Sequence, residues 1–415
     1  MTKIGFLIPE FPGQTHAFFM RESDELRKLG FETTLISTKP PTKGESTSVH
    51  QWTESATEKT HYLFPFSLHR FLTAFKQILL AGPFSWGKCF KSIFGPSDIS
   101  ISERFKLLPF VLVGAHLKNY CQRHQLTHVH VHSCANAANV AMFSRLLGGP
   151  SYSLTLHGPM HDYGKNHAQK WKNASFCIVI TNELMDEVKT NLRGEPLPPI
   201  FIAPMGVNIN IFQRDKPYIP ANMGDQIRLV SCGRLHFVKA HDDLIRAVAL
   251  LKDKGISVIL NICGTKDSSD KDNQYTDELF DLPAKLGVKD QVNFLGSISE
   301  TRVKDELQSA HFFCLGSLKE PLGVAIMEAM ATETPVIVTR SPGTAEMIES
   351  GDNGILVAPR APSEFVEVIE HLLQMPDKAI FLSKAGRKTV EERFHSGVSA
   401  AKIAEGVMLS NEKTQ

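Results

Sequence analysis

Apolar runs of about five to eight residues alternate with helix-length amphipathic stretches along almost the whole chain, and this rhythm leaves few architectures open. Strand, helix and strand in succession build a parallel sheet covered by helices on both faces. In the first half the pattern predicts strands at 4–8, 33–37, 127–132, 153–156 and 176–181, with helices at 17–29, 135–147 and 182–191. A second series predicts strands at 227–232, 258–263, 291–295, 311–315, 335–339 and a short 355–358. Helices are expected there at 242–254, 277–286, 300–309, 324–330, 362–374 and 379–391, with a polar loop at 266–273.

A chain of 415 residues exceeds one typical core, and two domains of roughly 150–200 residues are expected. The Pro-rich connection 195–200 and the exit Pro204-Met205-Gly206-Val207-Asn208 mark the hinge, dividing the chain into 1–205 and 206–394. The segment from about 40 to 120 breaks the rhythm and reads as an insertion rich in aromatic and basic residues. Seven cysteines are scattered without close spacing, most of them inside apolar runs, which fits reduced core thiols and excludes a zinc or disulfide pattern. The first residues read as a β-strand, too short for a signal-peptide core, and no apolar run reaches the ~20 residues of a spanning helix. A cytoplasmic protein is expected.

Charge is uneven. Residues 1–215 hold 22 Lys and Arg against 16 Asp and Glu, and the remainder holds 23 against 28. Between Lys59 and Arg123 nine basic residues face two acids, interleaved with Phe64, Phe71, Phe75, Phe84, Trp86 and Phe90. That mixture fits the interface of an anionic membrane, or else an inserted helical layer with solvated lysines. No nucleic-acid motif accompanies it.

The chemistry is concentrated in the second half. In Lys319-Glu320-Pro321-Leu322-Gly323-Val324-Ala325-Ile326-Met327-Glu328, two glutamates flank a Gly turn between an apolar strand and a helix. Strand, turn and helix start present backbone N–H groups to a phosphate. Upstream, Gly233-Arg234 and Lys239 follow a strand, and two cations at that spacing can converge on a diphosphate and stabilise it as it departs. Gly264 and the Phe294-Leu295-Gly296 run end two further strands, and Gly343 to Glu346 place a third carboxylate after another. In the first half His157 follows an apolar strand and precedes a glycine, the position of a side chain at a carboxyl strand edge. His128, His130 and His132 alternate along one strand face. With no acidic or cysteine partners apparent, they are expected to be packing or polar strand-end residues, and no metal site is expected.

Taken in order, Gly-Arg…Lys, Phe-Leu-Gly, Glu-x7-Glu-Ala-Met, Pro-Val-Ile-Val-Thr-Arg and Gly-x-x-Glu resemble the retaining glycosyltransferases of family 4 (group 1), which have the GT-B fold. In the first half His128-Val129-His130-Val131-His132 and Thr155-Leu156-His157-Gly158 are similar to enzymes of the colanic-acid and exopolysaccharide type. The resemblance implies two facing Rossmann-like, doubly wound α/β domains with an interdomain cleft. Residues 1–205 would bind the acceptor, with 395–415 packing back on them, and 206–394 would bind a nucleoside-diphosphate sugar. It further implies that Arg234 and Lys239 hold the diphosphate, with Gly323 and Val324 offering N–H groups. Glu320 would stand beside the sugar, Glu328 would hold the ribose, Gly264 and Leu295 would approach the nucleotide, and His157 would face the transferred sugar. No cofactor or metal is implied. The acceptor would be a glycan or a lipid-linked glycan, with the protein cytoplasmic or peripheral on the membrane's inner face. The family pattern is broken at Ala240, where glycine is usual, and at Asn208, where aspartate is common. The other readings are a non-catalytic binding protein of this fold and a sugar-nucleotide epimerase.

Overall fold

The computed structural model describes residues 1–13, 16–41, 52–96, 99–266 and 274–412. The chain divides into two compact units, Met1–Pro204 with Gly397–Gln415, and Met205–Ser396.

The first unit is built on seven parallel strands: β1 (Thr2–Glu10), β2 (Phe31–Lys39), β3 (His61–Tyr62), β4 (His128–Val131), β5 (Ser151–Leu156), β6 (Phe176–Val179) and β7 (Ile200–Ile202). They lie in the order β3-β2-β1-β4-β5-β6-β7. The chain runs outward from β1 in one direction and from β4 in the other, so the topological switch lies between these two strands. Both are buried on both faces, which is why their sequences read as continuous apolar runs broken mainly by histidine. The helix Ala17–Lys28 covers one face, and Phe19 and Leu26 from it join Ile4, Phe6 and Ile8 in a common core. Ala400, Ile403 and Val407 of the helix Gly397–Glu412 complete that core.

The region from 40 to 120 is less separate than an insertion. His61 and Tyr62 pair with Ile36 and Ser37 and extend the sheet by one strand, a segment too short for any periodicity to reveal. Two long helices follow, Leu68–Phe94, interrupted at Gly82 (φ 77°) beside Pro83, and Leu108–His124, with the short helix Ile101–Phe105 between them. The first leaves Leu68, Phe71, Leu72, Phe75 and Leu79 exposed, a spacing of three and four residues that forms a stripe along one face. Residues 42–51 of the turn cluster lie outside the described residues.

The second unit has six parallel strands: β8 (Ile227–Cys232), β9 (Val258–Cys263), β10 (Val292–Gly296), β11 (Phe312–Leu315), β12 (Val336–Thr339) and β13 (Ile355–Val357). Their order is β10-β9-β8-β11-β12-β13, which puts the switch between β8 and β11. In open α/β sheets ligands bind beyond the carboxyl ends of strands at such a point. Most of the predicted loop 266–273 lies outside the described residues.

Both sheets match the doubly wound arrangement expected from the alternation. Among the described residues, no helix is long and apolar enough to cross a membrane. All seven cysteines are free thiols.

Candidate active site

At the switch of the second sheet, two loops are tied to each other by backbone. The loop after β11 docks on the loop after β8, with Leu318 N–H donating to Val238 O at 2.7 Å. Ser317 Oγ donates to the same carbonyl at 3.3 Å. This docking sets Lys239 against Glu320, Nζ to Oε2 at 2.5 Å, with side chains 19% and 9% exposed. A pair so sheltered is held in one geometry more firmly than a surface ion pair. Glu320 is fixed from behind as well. Ser341 Oγ donates to its carbonyl at 3.3 Å, and Gly343 lies so close that a Cβ there would stand 2.5 Å from Glu320 O and 2.0 Å from Pro321 O.

Gly323 caps the helix Val324–Ala331 at φ 89°, ψ 69°, a left-handed conformation that glycine adopts without strain. Val324 opens the helix, and Gly323 packs against the Glu320 side chain, with a Cβ there 3.2 Å from Glu320 Cγ, so the helix start lies beside Glu320. Glu328 stands one turn further on and is half-buried. It is one of the negative groups raising the neighbouring Cys232 thiol well above its ordinary value, behind the Cys263 hydrogen bond and burial.

Along the carboxyl edge, Gly233, Gly264 and Gly296 end β8, β9 and β10. Gly233 N–H donates to Cys263 O and Gly264 N–H to Gly296 O, both at 2.9 Å. At Gly264 (φ 154°) a Cβ would lie 1.9 Å from Gly233 O, so no side chain fits between these turns. Arg234 is exposed at the same edge. The structure thus gathers Arg234, Lys239, Glu320, Gly323, Val324 and Glu328 around one switch point, with Gly264 beside them and Leu295 two strands away. Sequence reasoning missed His241, buried beneath the Gly233 turn. Burial, and then the Lys239 charge, hold its imidazole down to about 4, against the raising effect of the Arg234 and Gly233 backbone.

His157 lies in the first unit, just past the end of β5. Its ring is half-buried among Phe18, Phe19 and His132, with centroid separations of 5.5, 6.0 and 5.7 Å. Both ring nitrogens are buried and unpartnered, and burial holds the imidazole down to about 3.

The histidine strand requires a correction. His128 and His130 are satisfied by hydroxyls: His128 contacts Ser151 and Ser153, and His130 contacts Ser153 and Thr155, all within 2.9 Å. His132 does have an acidic neighbour, since its Nε2 lies 3.2 Å from Glu22 Oε2. Ligand atoms of Glu22, His130 and His132 lie within 4.8 Å of one another. Glu22 comes from the helix after β1 and was overlooked because it is remote in sequence. Its spacing from Phe19 and Leu26, by three and four residues, does put it on the buried face. Burial pushes Glu22 up and His132 down to about 3, so it disfavours the charged form of each. Both nitrogens of His130 are already engaged with hydroxyls, which weakens the trio as a metal site.

Residues 213–389 match the family model of the group 1 glycosyl transferases, nearly the whole second unit. A Bacillus subtilis protein assigned as the glycosyltransferase EpsD is 28% identical over 318 residues, covering 72% of this chain and 78% of that one. The GDP-mannose-dependent alpha-(1-6)-phosphatidylinositol monomannoside mannosyltransferase of Mycobacterium tuberculosis is 24% identical, covering 72% and 80%. Among solved structures, Anabaena HepE in complex with UDP and glucose superposes with a TM-score of 0.71 over 98% of this chain and 100% of that one. At 17% identity this shows the shared GT-B fold. The second unit carries a group 1 glycosyltransferase domain, and the protein is a glycosyltransferase.

Proposed function

We propose that the protein transfers a sugar from a nucleoside-diphosphate sugar to a hydroxyl of a glycan or lipid-linked acceptor, with retention at the anomeric carbon, in the building of a surface polysaccharide. The observation that carries this reading is the preformed Lys239–Glu320 pair beside a glycine-capped helix start at the switch of the second sheet. The mycobacterial relative's name specifies a nucleotide-sugar donor and a lipid acceptor, and HepE holds UDP. Both agree with it.

In this reading Arg234, Lys239 and the N–H groups at Gly323 and Val324 bind the diphosphate. Gly264 and Leu295 approach the nucleotide by backbone, and Glu328 accepts from the ribose hydroxyls. Glu320 orients both the sugar and the Lys239 ammonium. The bond from the anomeric carbon to the phosphate oxygen breaks and its electron pair leaves with the diphosphate. The acceptor oxygen bonds the same carbon from the same face, and its proton passes to the departing phosphate oxygen. Two cations and a helix start neutralise the leaving group, so the reaction calls for no metal. His157 takes a sugar-facing role, which would require its buried nitrogens to become accessible on binding. The basic and apolar helix Leu68–Phe94 lies on an anionic membrane surface, giving access to the acceptor.

A donor screen that measures released nucleoside diphosphate, with and without a lipid-linked acceptor extract, tests the reading. One donor should release diphosphate with the extract present and give a product of unchanged anomeric configuration. An inverted product would refute retention, and acceptor-independent release of free sugar would favour hydrolysis or epimerisation.

A further inference from the structure

Away from the donor site, β3 and the helices Leu68–Phe94 and Leu108–His124 enclose a pocket of about 280 Å³. Its wall includes Arg70, Arg123, His61, His69, His116 and His124, and among the described residues no carboxylate lines it. His116 is 6% exposed, and both its ring nitrogens are buried without a hydrogen-bond partner. Nε2 of His61, whose ring stacks on Tyr120 at 3.8 Å, is likewise buried and unpartnered. Burial is the main cause holding both imidazoles down to about 4, and the nearby arginine and histidine charges push the same way. Arg70 Nη1 donates to the carbonyls of Tyr62 and Pro65 at 2.9 and 3.1 Å, but no carboxylate faces the two arginines, and the buried imidazole nitrogens of His61 and His116 have no partner. Polar atoms left so are costly, and an anion with several acceptor oxygens would satisfy them.

The surroundings indicate where the anion comes from. Leu68, Phe71, Leu72, Phe75 and Leu79 form the exposed stripe on the helix that supplies His69, Arg70 and Thr73 to the pocket. Beyond the Gly82 break the same chain exposes Phe84 and Phe90 together with Lys88 and Lys91. The exposed His69 lies on the helix flank between Leu72 of the stripe and Thr73 of the pocket, and an apolar strip joined in this way to a cationic pocket is complementary to a molecule with hydrocarbon at one end and phosphate at the other.

We propose that this pocket binds the phosphate group of a membrane lipid whose chains lie against the exposed stripe of the helix Leu68–Phe94. The inference rests on the membrane contact proposed above, and its test separates the two. The wild type, Arg123→Ala and Lys91→Ala are floated with phosphatidylcholine vesicles that contain phosphatidic acid. Arg123 and Lys91 are both exposed, so neither change threatens the fold. Lys91→Ala should weaken binding by about fivefold, the effect of one charge near an anionic surface. Arg123→Ala should weaken it more than about tenfold, because a charge-assisted bond to phosphate is lost as well. Equal losses would keep the membrane contact and overturn the pocket. A wild type that binds no vesicle would overturn both. Phosphate at millimolar concentration should also release the wild type, at an ionic strength where chloride has no effect; phosphate that stabilises the protein against heat yet leaves vesicle binding unchanged would make the occupant a free anion and overturn the lipid.

Discussion

Lys239 Nζ and Glu320 Oε2 stand 2.5 Å apart although 81 residues separate them in the chain, and the contact joins the loops on either side of the sheet's switch point. One residue holds the other at the place where a leaving diphosphate would meet positive charge. Replacing Glu320 by alanine leaves the ammonium without its partner and the sugar without an acceptor of hydrogen bonds. Glu320→Ala should lower kcat by about 100-fold or more. Its unfolding free energy should fall by about 1–3 kcal/mol, measurable by urea denaturation. Unchanged kcat would remove Glu320 from the reaction.

Gly343 makes no proposed contact with the donor, yet its place is set by the site. A methyl group there meets Pro321 O and Glu320 O at distances no structure tolerates, so the loop carrying Glu320 must shift. Gly343→Ala should destabilise the protein by about 1–3 kcal/mol and reduce transfer by more than its loss of folded fraction. Wild-type activity at a temperature well below the unfolding midpoint would show that Glu320 does not depend on this support.

Acid should unfold the protein early. Burial holds His128, His132 and His157 down to about 3 in the folded state, against an ordinary value of 6.5 that applies once the chain unfolds. Between those values the unfolded chain binds more protons. Stability is therefore complete above the unfolded value and is lost as pH falls below it, by about 1.4 kcal/mol per pH unit for each such histidine. The denaturation midpoint should fall steeply from about pH 7 to about pH 5. His132→Asn should make that fall shallower, and an unchanged slope would contradict the assignment of His132.

Glu22 acts in the opposite sense. Burial raises its pKa above the ordinary 4.5, so its contribution is present below the unfolded value and is lost as pH climbs toward the folded one. Glu22→Gln removes that ionisation. The melting temperature of the variant relative to wild type should therefore rise from about pH 5 to about pH 8. A difference independent of pH would mean that Glu22 ionises freely in the fold.

Much of this was legible in the sequence because parallel strands buried on both faces must be apolar for their whole length. Runs such as Val336–Thr339 and Phe312–Leu315 therefore announced themselves, and the turns after the strands carried the glycines, cations and glutamates. What the pattern could not show was who meets whom. The sequence marked Lys239 and Glu320 separately, but their pairing depends on β8 and β11 being neighbours in space. Glu22 was invisible for the same reason, since it reaches His132 from a helix more than a hundred residues earlier. His61–Tyr62 is two residues long and has no period to detect. The aromatic content of Leu68–Phe94 did not distinguish core from surface, and Phe75 and Phe84 proved exposed.

The central claim is that the switch point of the second sheet binds a nucleoside diphosphate through Lys239 and its neighbours. Calorimetric titration of the nucleoside diphosphate identified by the donor screen, into wild type and Lys239→Ala, tests it without reference to the acceptor or the membrane. The account predicts binding to the wild type and a loss of about 10-fold to 100-fold in the variant, the worth of one charge-assisted bond to phosphate. Equal affinity in the two proteins would contradict it.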